Sequence, residues 1–296
     1  FTGEGHAPAP VLDEPGREPE GNEALDCPDW IAPRLQASLG PAFPAVMQAL
    51  RHRAPVFLRV NVGRITVEQA QVLLAEEEIA TRLNQIAKNA LEVTENARKI
   101  QNSTAYAEGL VELQDAASQA IVEALPLTDG MRVLDLCAGG GGKTLAMAAR
   151  ARLRLWAHDA SAARMRDIPP RAARAGVKVT LTHKPEKTAS YDLILTDVPC
   201  SGSGSWRRDP PGKWALSAAR LAALGAVQLS IRSRAAAMVA PGGWLAYATC
   251  SLLEEENANR IATFLATAPG WRQASSLRLT PLDGADGFFL SLLTRG

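Results

Sequence analysis

At 296 residues the chain is about twice the size of an average domain, so two domains are expected. Hydrophobic residues make up 47% and charged ones 21%, a globular balance that excludes a wholly disordered or fibrous chain. No apolar run approaches the roughly 18 residues of a membrane span, and four cysteines without a CxxC pair argue against a disulfide framework and a zinc cluster. Unpaired thiols suit a reducing compartment, so a cytoplasmic protein is expected.

The net charge of +1 hides an asymmetry. Residues 1–28 carry seven acids and one base, and 29–296 carry 24 acids and 31 bases. The Pro/Gly-rich acidic stretch 1–28 reads as a flexible leader, with Cys27 an incidental surface thiol. The chain opens on Phe1 instead of Met, and a preceding segment is expected.

Order is expected from Pro28-Asp29-Trp30. Ile31, Leu35, Leu39, Phe43, Val46, Met47 and Leu50 recur at helical spacing, broken by Gly40-Pro41 and Pro44, which predicts short helices. Val56–Val60 has strand propensity, and 66–77 reads as a helix capped by Thr66. Segments 91–94 and 109–113 read as short strands. Residues 29–115 thus form a small α+β domain.

From Met131 strands and helices alternate. Strands are expected at 132–137, 153–159, 178–183, 191–199 and 244–250, with helices at 143–150, 161–174, 216–239 and 252–268. That order predicts a doubly wound α/β domain over 116–296, with GFFLSLL (287–293) closing the sheet as an edge strand.

Polar residues gather at the expected strand ends. Asp135-Leu136-Cys137-Ala138-Gly139-Gly140-Gly141-Gly142-Lys143-Thr144 joins the first strand to a helix, where glycine lets a ligand approach the backbone. Its spacing fits neither a P-loop nor a dinucleotide fingerprint. Asp159 ends the second strand, where an acid accepts ribose hydroxyls or caps the next helix. The fourth strand ends on Thr196-Asp197-Val198-Pro199-Cys200-Ser201-Gly202-Ser203-Gly204, and Pro199 stops the ladder there. The fifth ends on Ala248-Thr249-Cys250-Ser251, with Ser251 and Glu254 reading as a capping box. On that reading Cys250 precedes a helix N-terminus, which favours its thiolate.

Together these stretches resemble the Sun/RsmB family of bacterial RNA (cytosine-C5)-methyltransferases, whose motifs run close to DLCAAPGGKT, DAPCSGTG and TCSxxxEEN. The likeness extends to Leu58-Arg59-Val60-Asn61, to 108–119 and to Asp286-Gly287-Phe288-Phe289. It implies a Rossmann-like methyltransferase sheet behind a small N-terminal α+β RNA-binding domain. It also implies S-adenosylmethionine held by Cys137, Ala138, Gly139, Gly140, Gly141, Gly142 and Lys143, by Asp159, and near Asp197. Cys250 is then the nucleophile, Cys200 assists product release, Asp197 faces the base, and Lys143 keeps Asp197 ionised. RNA, most of all 16S ribosomal RNA, is the expected partner, with no membrane or metal, and the chain is expected to act as a monomer.

Three departures stand out. Gly139-Gly140 replaces Ala-Pro, which should loosen the loop. His183-Lys184 stands where the family often has an acid near the adenine. Only residues 184–190 join the third and fourth strands. Arg51, Arg53, Arg59, Arg64, Arg98, Lys99, Arg164, Arg166, Arg171 and Arg174 are candidates for tracking phosphates. Trp206-Arg207-Arg208 and Lys213-Trp214 are candidates for substrate contact. Two other readings stay open. One is a DNA cytosine methyltransferase, which would use the Pro-Cys thiol. The other is a non-catalytic RNA-binding or ribosome-assembly factor on a decayed methyltransferase fold.

Overall fold

A computed structural model describes residues 17–188 and 190–296. The small sheet is antiparallel in the order β2-β3-β1-β4, from β1 (Val56–Val60), β2 (Thr81–Leu83), β3 (Ala90–Val93) and β4 (Val111–Leu113). Strand alternation divides its side chains between two faces. Leu58 and Val60 pack with Leu74 of the helix Val67–Glu76, while Phe57 turns the other way into the core of the large sheet. Thr66 caps that helix by accepting from Gln69 N, and Gln69 returns the bond.

The large sheet runs β10-β11-β9-β8-β5-β6-β7. Its members are β5 (Arg132–Asp135), β6 (Arg154–Ala157), β7 (Thr180–Leu181), β8 (Tyr191–Asp197), β9 (Val239–Thr249), β10 (Trp271–Leu279) and β11 (Phe288–Arg295). Strands β5 to β9 are parallel neighbours, and β11 and β10 are added antiparallel. Both faces are covered. Val133, Leu193 and Ala246 point to the side of helix Ala116–Glu123, and Leu134, Ile194 and Leu245 point to helices Ala218–Met238 and Ala258–Thr267. This is a Rossmann-like doubly wound sheet.

GFFLSLL is not the edge. It forms most of β11, which lies between β9 and β10 and is buried along almost its whole length. Burial on both faces explains its unbroken apolar run. The edge is the largely exposed β10, whose Arg272 and Arg278 and a register break between Gln273 and Ser275 suit a rim strand.

The helices Ala32–Leu39 and Phe43–Leu50 do not join the core of the small sheet. Leu35, Val46 and Met47 pack with Trp206, Leu221, Leu224 and Leu253 of the large unit. Cys27, expected at the surface, is 2% exposed in the same cluster, and burial pushes its thiol up to about 11. Of the stretch read as a flexible leader, 1–16 lie outside the described residues, while Gly21–Ala24 is helical and Asp26 pairs with Lys213. No helix of the described residues is long and apolar enough to cross a membrane.

Candidate active site

Strand order reverses between β5 and β8, because the chain runs outward to β6 and β7 before returning. Loops after adjacent strands diverge at such a point and leave a crevice at the carboxyl ends. Two adjoining cavities of about 170 and 310 Å³ occupy it, and Cys137 and Asp197 line both. The smaller also takes in Asp135, Ala138, Gly142 and Lys143, and the larger Asp159, Cys200 and Cys250. Gly139, Gly140 and Gly141 line neither. A cleft of about 700 Å³ opens at the opposite, amino ends of β5 and β6 and contains none of these residues.

The glycine loop is tied down at several points. Gly139 N donates to Asp159 Oδ2 at 2.9 Å, Arg171 donates to Gly140 O, and Arg59 donates to Gly142 O at 2.6 Å. Gly139 and Gly141 have φ of +51° and +84°, which disfavours any side chain. A Cβ on Gly141 would also lie 2.8 Å from Ile168 Cγ1. These glycines serve the turn and its packing on the segment 162–175, and the loosening expected from the lost Ala-Pro is countered by the arginine and carboxylate ties.

Asp159 is 5% exposed and already accepts from Gly139 N and Ser161 N, with Arg164 Nη1 3.3 Å away. A carboxylate offers about four lone-pair sites, so one further donor can be accommodated. His183 is exposed and lines neither cavity. Asp135 Oδ2 accepts from Thr144 Oγ1 at 2.6 Å, but Oδ1 is buried without a partner. Burial pushes Asp135 up to about 6.

Parallel pairing of Asp197 with Ala248 carries Cys200 and Cys250 past the ends of β8 and β9 side by side. Their Sγ atoms are 3.4 Å apart. Lys143 Nζ donates to Asp197 Oδ2 at 2.7 Å and lies 4.6 Å from the Phe288 ring. Burial opposes the ammonium, yet Asp197 outweighs it and Lys143 stays charged. The hydrogen bond from Cys200, aided by Lys143 and the Ser205 hydroxyl, holds Cys250 below the usual thiol range against its burial and the Asp197 carboxylate. Cys200 is raised by that bond, by burial and by Glu256. Cys137 is raised by burial and then by Asp135, Asp197 and Asp159. Of the three thiols at the crevice, Cys250 is the one whose surroundings favour the nucleophilic thiolate.

That preference does not come from a helix end. The expected capping box is absent: Ser251 Oγ accepts from Leu253 N, Glu254 N donates to Ser38 Oγ, and the helix begins only at Ala258. Residues 251–257 form a turn held by Asn257, which accepts from Thr249 Oγ1 at 2.5 Å and donates to Ser251 O at 2.8 Å.

Several bases expected at an RNA surface have internal partners. Arg59 is 6% exposed, and Arg171 and Arg174 both pair with Glu112. Arg207 and Arg208 converge on buried Asp286, and Lys213 and Trp206 are buried. Arg53, Arg98, Arg166 and Trp214 are exposed. Sequence reasoning missed Ser205, Gln228 and Glu256 behind the thiols. Gln228 had a signal: it occupies a core position in the helical stripe Leu221, Leu224, Gln228, Arg232, Ala235.

Residues 122–293 match the family model of 16S rRNA methyltransferase RsmB/F, and 27–101 match its ferredoxin-like domain. The chain is 32% identical over 286 residues to ribosomal RNA small subunit methyltransferase B of Klebsiella pneumoniae and 30% identical over 290 residues to that of Xanthomonas campestris. Each match covers 90% of this chain and 66% of the relative, so the chain spans just under two thirds of their length. A methyltransferase homolog protein from Pyrococcus horikoshii shares the fold, with a TM-score of 0.81 at 24% identity over 92% of this chain and 96% of that one. With the family model spanning more than half of it, the chain belongs to the RsmB/F family of 16S rRNA methyltransferases.

Proposed function

We propose that the protein transfers a methyl group from S-adenosylmethionine to C5 of a cytosine in RNA, with small-subunit ribosomal RNA as substrate. The observation that carries this reading is the 3.4 Å pair of thiols beside the Lys143–Asp197 ion pair at one crevice. When bound, S-adenosylmethionine supplies an electrophilic methyl on a sulfonium. The residues fit such a ligand: the unpartnered Asp135 Oδ1 and the carboxylates of Asp159 and Asp197 suit an ammonium and ribose hydroxyls, and Val198, Val227 and Ile231 make an apolar wall.

C5 of cytosine is a weak nucleophile until C6 is attacked. The Cys250 thiolate forms a bond to C6 and the electrons of the C5–C6 double bond move to make C5 nucleophilic. Asp197 faces N3 and the exocyclic amine and accepts from the amine, and the Lys143 ammonium beside it offsets the negative charge that develops on the ring. C5 takes the methyl group as its bond to the donor sulfur breaks. Loss of the C5 proton to a base then restores the double bond and expels the Cys250 thiolate. Cys200, 3.4 Å from the departing sulfur, assists that release. The target base must be unpaired or extruded to reach the crevice. The unit over 29–115 is assigned to RNA binding, the unit over 116–296 to catalysis, and the cytoplasm to its location.

The test is a denaturing gel of Cys200→Ala and Cys250→Ala incubated with ribosomal RNA and labelled cofactor. A slow protein–RNA band is expected for Cys200→Ala alone. A band for Cys250→Ala and none for Cys200→Ala would reverse the roles. Absence of methyl transfer by the wild-type protein would favour a non-catalytic factor.

A further inference from the structure

We infer that Glu256, with Gln228, is a positioning residue that keeps the proton of the thiol pair on Cys200 and thereby assigns the attack to Cys250. The inference rests on the reading of Cys250 as nucleophile. It starts from a bracket around Cys200. Gln228 Nε2 donates to Pro199 O at 3.0 Å, on one side of the cysteine, and to Glu256 Oε1 at 2.8 Å. On the other side Ser201 N donates to Glu256 Oε1 at 3.0 Å, and Ser201 Oγ donates to Oε2 at 2.5 Å. Gln228 and Glu256 are each 1% exposed. The peptide units before and after Cys200 are therefore both fixed by buried side chains.

Every partner of the Glu256 carboxylate is a donor, which is the environment of an ionised acid. Tyr247 O–H donates to the backbone carbonyl of Glu256 at 2.7 Å and leaves the carboxylate free for the bracket. Lys143 and Asp197 face the pair from the β5 and β8 side, Ser205 from the loop after β8, and Glu256 from the turn after β9. Tyr247 is the other titratable group nearby, and burial holds its phenol neutral. The Glu256 carboxylate behind Cys200 polarises the S–H···S contact toward Cys250, where the Lys143 ammonium partly offsets the Asp197 carboxylate. A thiolate on Cys200 would stand close to the Glu256 anion. The serine hydroxyls add a link between the two cysteine loops, since Ser203 Oγ accepts from Leu252 N at 2.8 Å and sits 3.2 Å from Ser251 Oγ.

Glutamine at 256 keeps the size but removes the charge and presents an amide N–H₂ to donors, so the bracket loses an acceptor. The test uses the full chain without RNA. Alkylation of each cysteine by iodoacetamide is followed by peptide mass spectrometry between pH 6 and 9, with thermal melts reporting the fold. In the wild-type protein Cys250 should react at least about tenfold faster than Cys200 at pH 7, the ratio that about one pKa unit produces. In Glu256→Gln the ratio should fall to about threefold or less, with the Cys250 profile displaced to higher pH. Gln228→Leu, which keeps the charge but frees Pro199 O, should reduce the ratio in the same direction and carries the test if Glu256→Gln does not fold. A folded variant with the wild-type ratio and pH profile overturns the bracket while leaving the proposed reaction intact. Wild-type protein labelled faster at Cys200 overturns the inference through its premise.

Discussion

Lys143 reaches across the strand-order switch to Asp197, Nζ to Oδ2 at 2.7 Å, with the Phe288 ring 4.6 Å from the ammonium. The lysine side chain is 10% exposed and the aspartate 29%. Removing one partner of such a pair leaves a poorly solvated charge, which costs more than the pair itself contributes. Lys143→Met should therefore destabilise the fold by about 3 kcal/mol. Asp197→Asn should recover part of that loss, and a double-mutant cycle in urea should give a coupling of about 2 kcal/mol. Additive single effects would mean that the pair is solvent-screened.

Asp135 gives a stability signature with a defined sign. Its native value, raised by burial to about 6 from an ordinary 3.8, means that the folded state holds the proton longer than the unfolded chain. Stability should fall as pH rises from about 4 to 6 and stay lowered above, by up to about 3 kcal/mol. Asp135→Asn can still accept from Thr144, so its advantage over the wild type should be present at pH 8 and nearly gone at pH 4. Guanidinium unfolding at the two pH values measures this, and an equal difference at both would sink it.

Asp159 is expected to act on the cofactor through both its spare lone pair and its hold on Gly139. Asp159→Ala should weaken S-adenosylmethionine binding by at least about tenfold, or 1.4 kcal/mol. Arg164→Ala, which removes an exposed ion partner, should change it little. Calorimetry on folded variants checks both. Unchanged affinity in Asp159→Ala would displace the ribose from this acid.

Arg207 and Arg166 separate structural from RNA-facing cations. Arg207 Nε donates to Asp286 Oδ1 at 2.7 Å, with both side chains under 10% exposed. Arg207→Ala should cost about 3 kcal/mol of stability without changing the salt dependence of RNA binding. Exposed Arg166→Ala should leave stability within about 0.5 kcal/mol and, if it meets a phosphate, lower the salt slope by about 1. A slope that responds to Arg207 instead would mean that Asp286 releases it to RNA.

The sequence by itself determined the strand-tip chemistry. Asp135 to Thr144, Asp197 to Cys200 and Thr249-Cys250 each combine an apolar run with a local stop such as Pro199 or glycine, and such short-range signals survive without tertiary context. Only the folded chain decided what those tips meet. Cys200 and Cys250 are 50 residues apart, and the register of β8 on β9 brings their sulfurs to 3.4 Å. Ser251 and Glu254 looked like a cap, but partners from elsewhere, including Ser38, occupied them and delayed the helix to Ala258. The run at 287–293 could be read as a strand, whereas its place between β9 and β10 depended on which neighbours covered its two faces. Cys27 and Arg59 looked like surface residues because nothing local records the helices and loops that bury them. Glu256 stood in the stretch that resembles TCSxxxEEN with no role attached to it, and only the approach of Gln228 from a distant helix made it a buried acceptor beside the thiols. Local sequence encodes backbone preference and residue chemistry, while burial, pairing and proton position follow from contacts between segments remote along the chain.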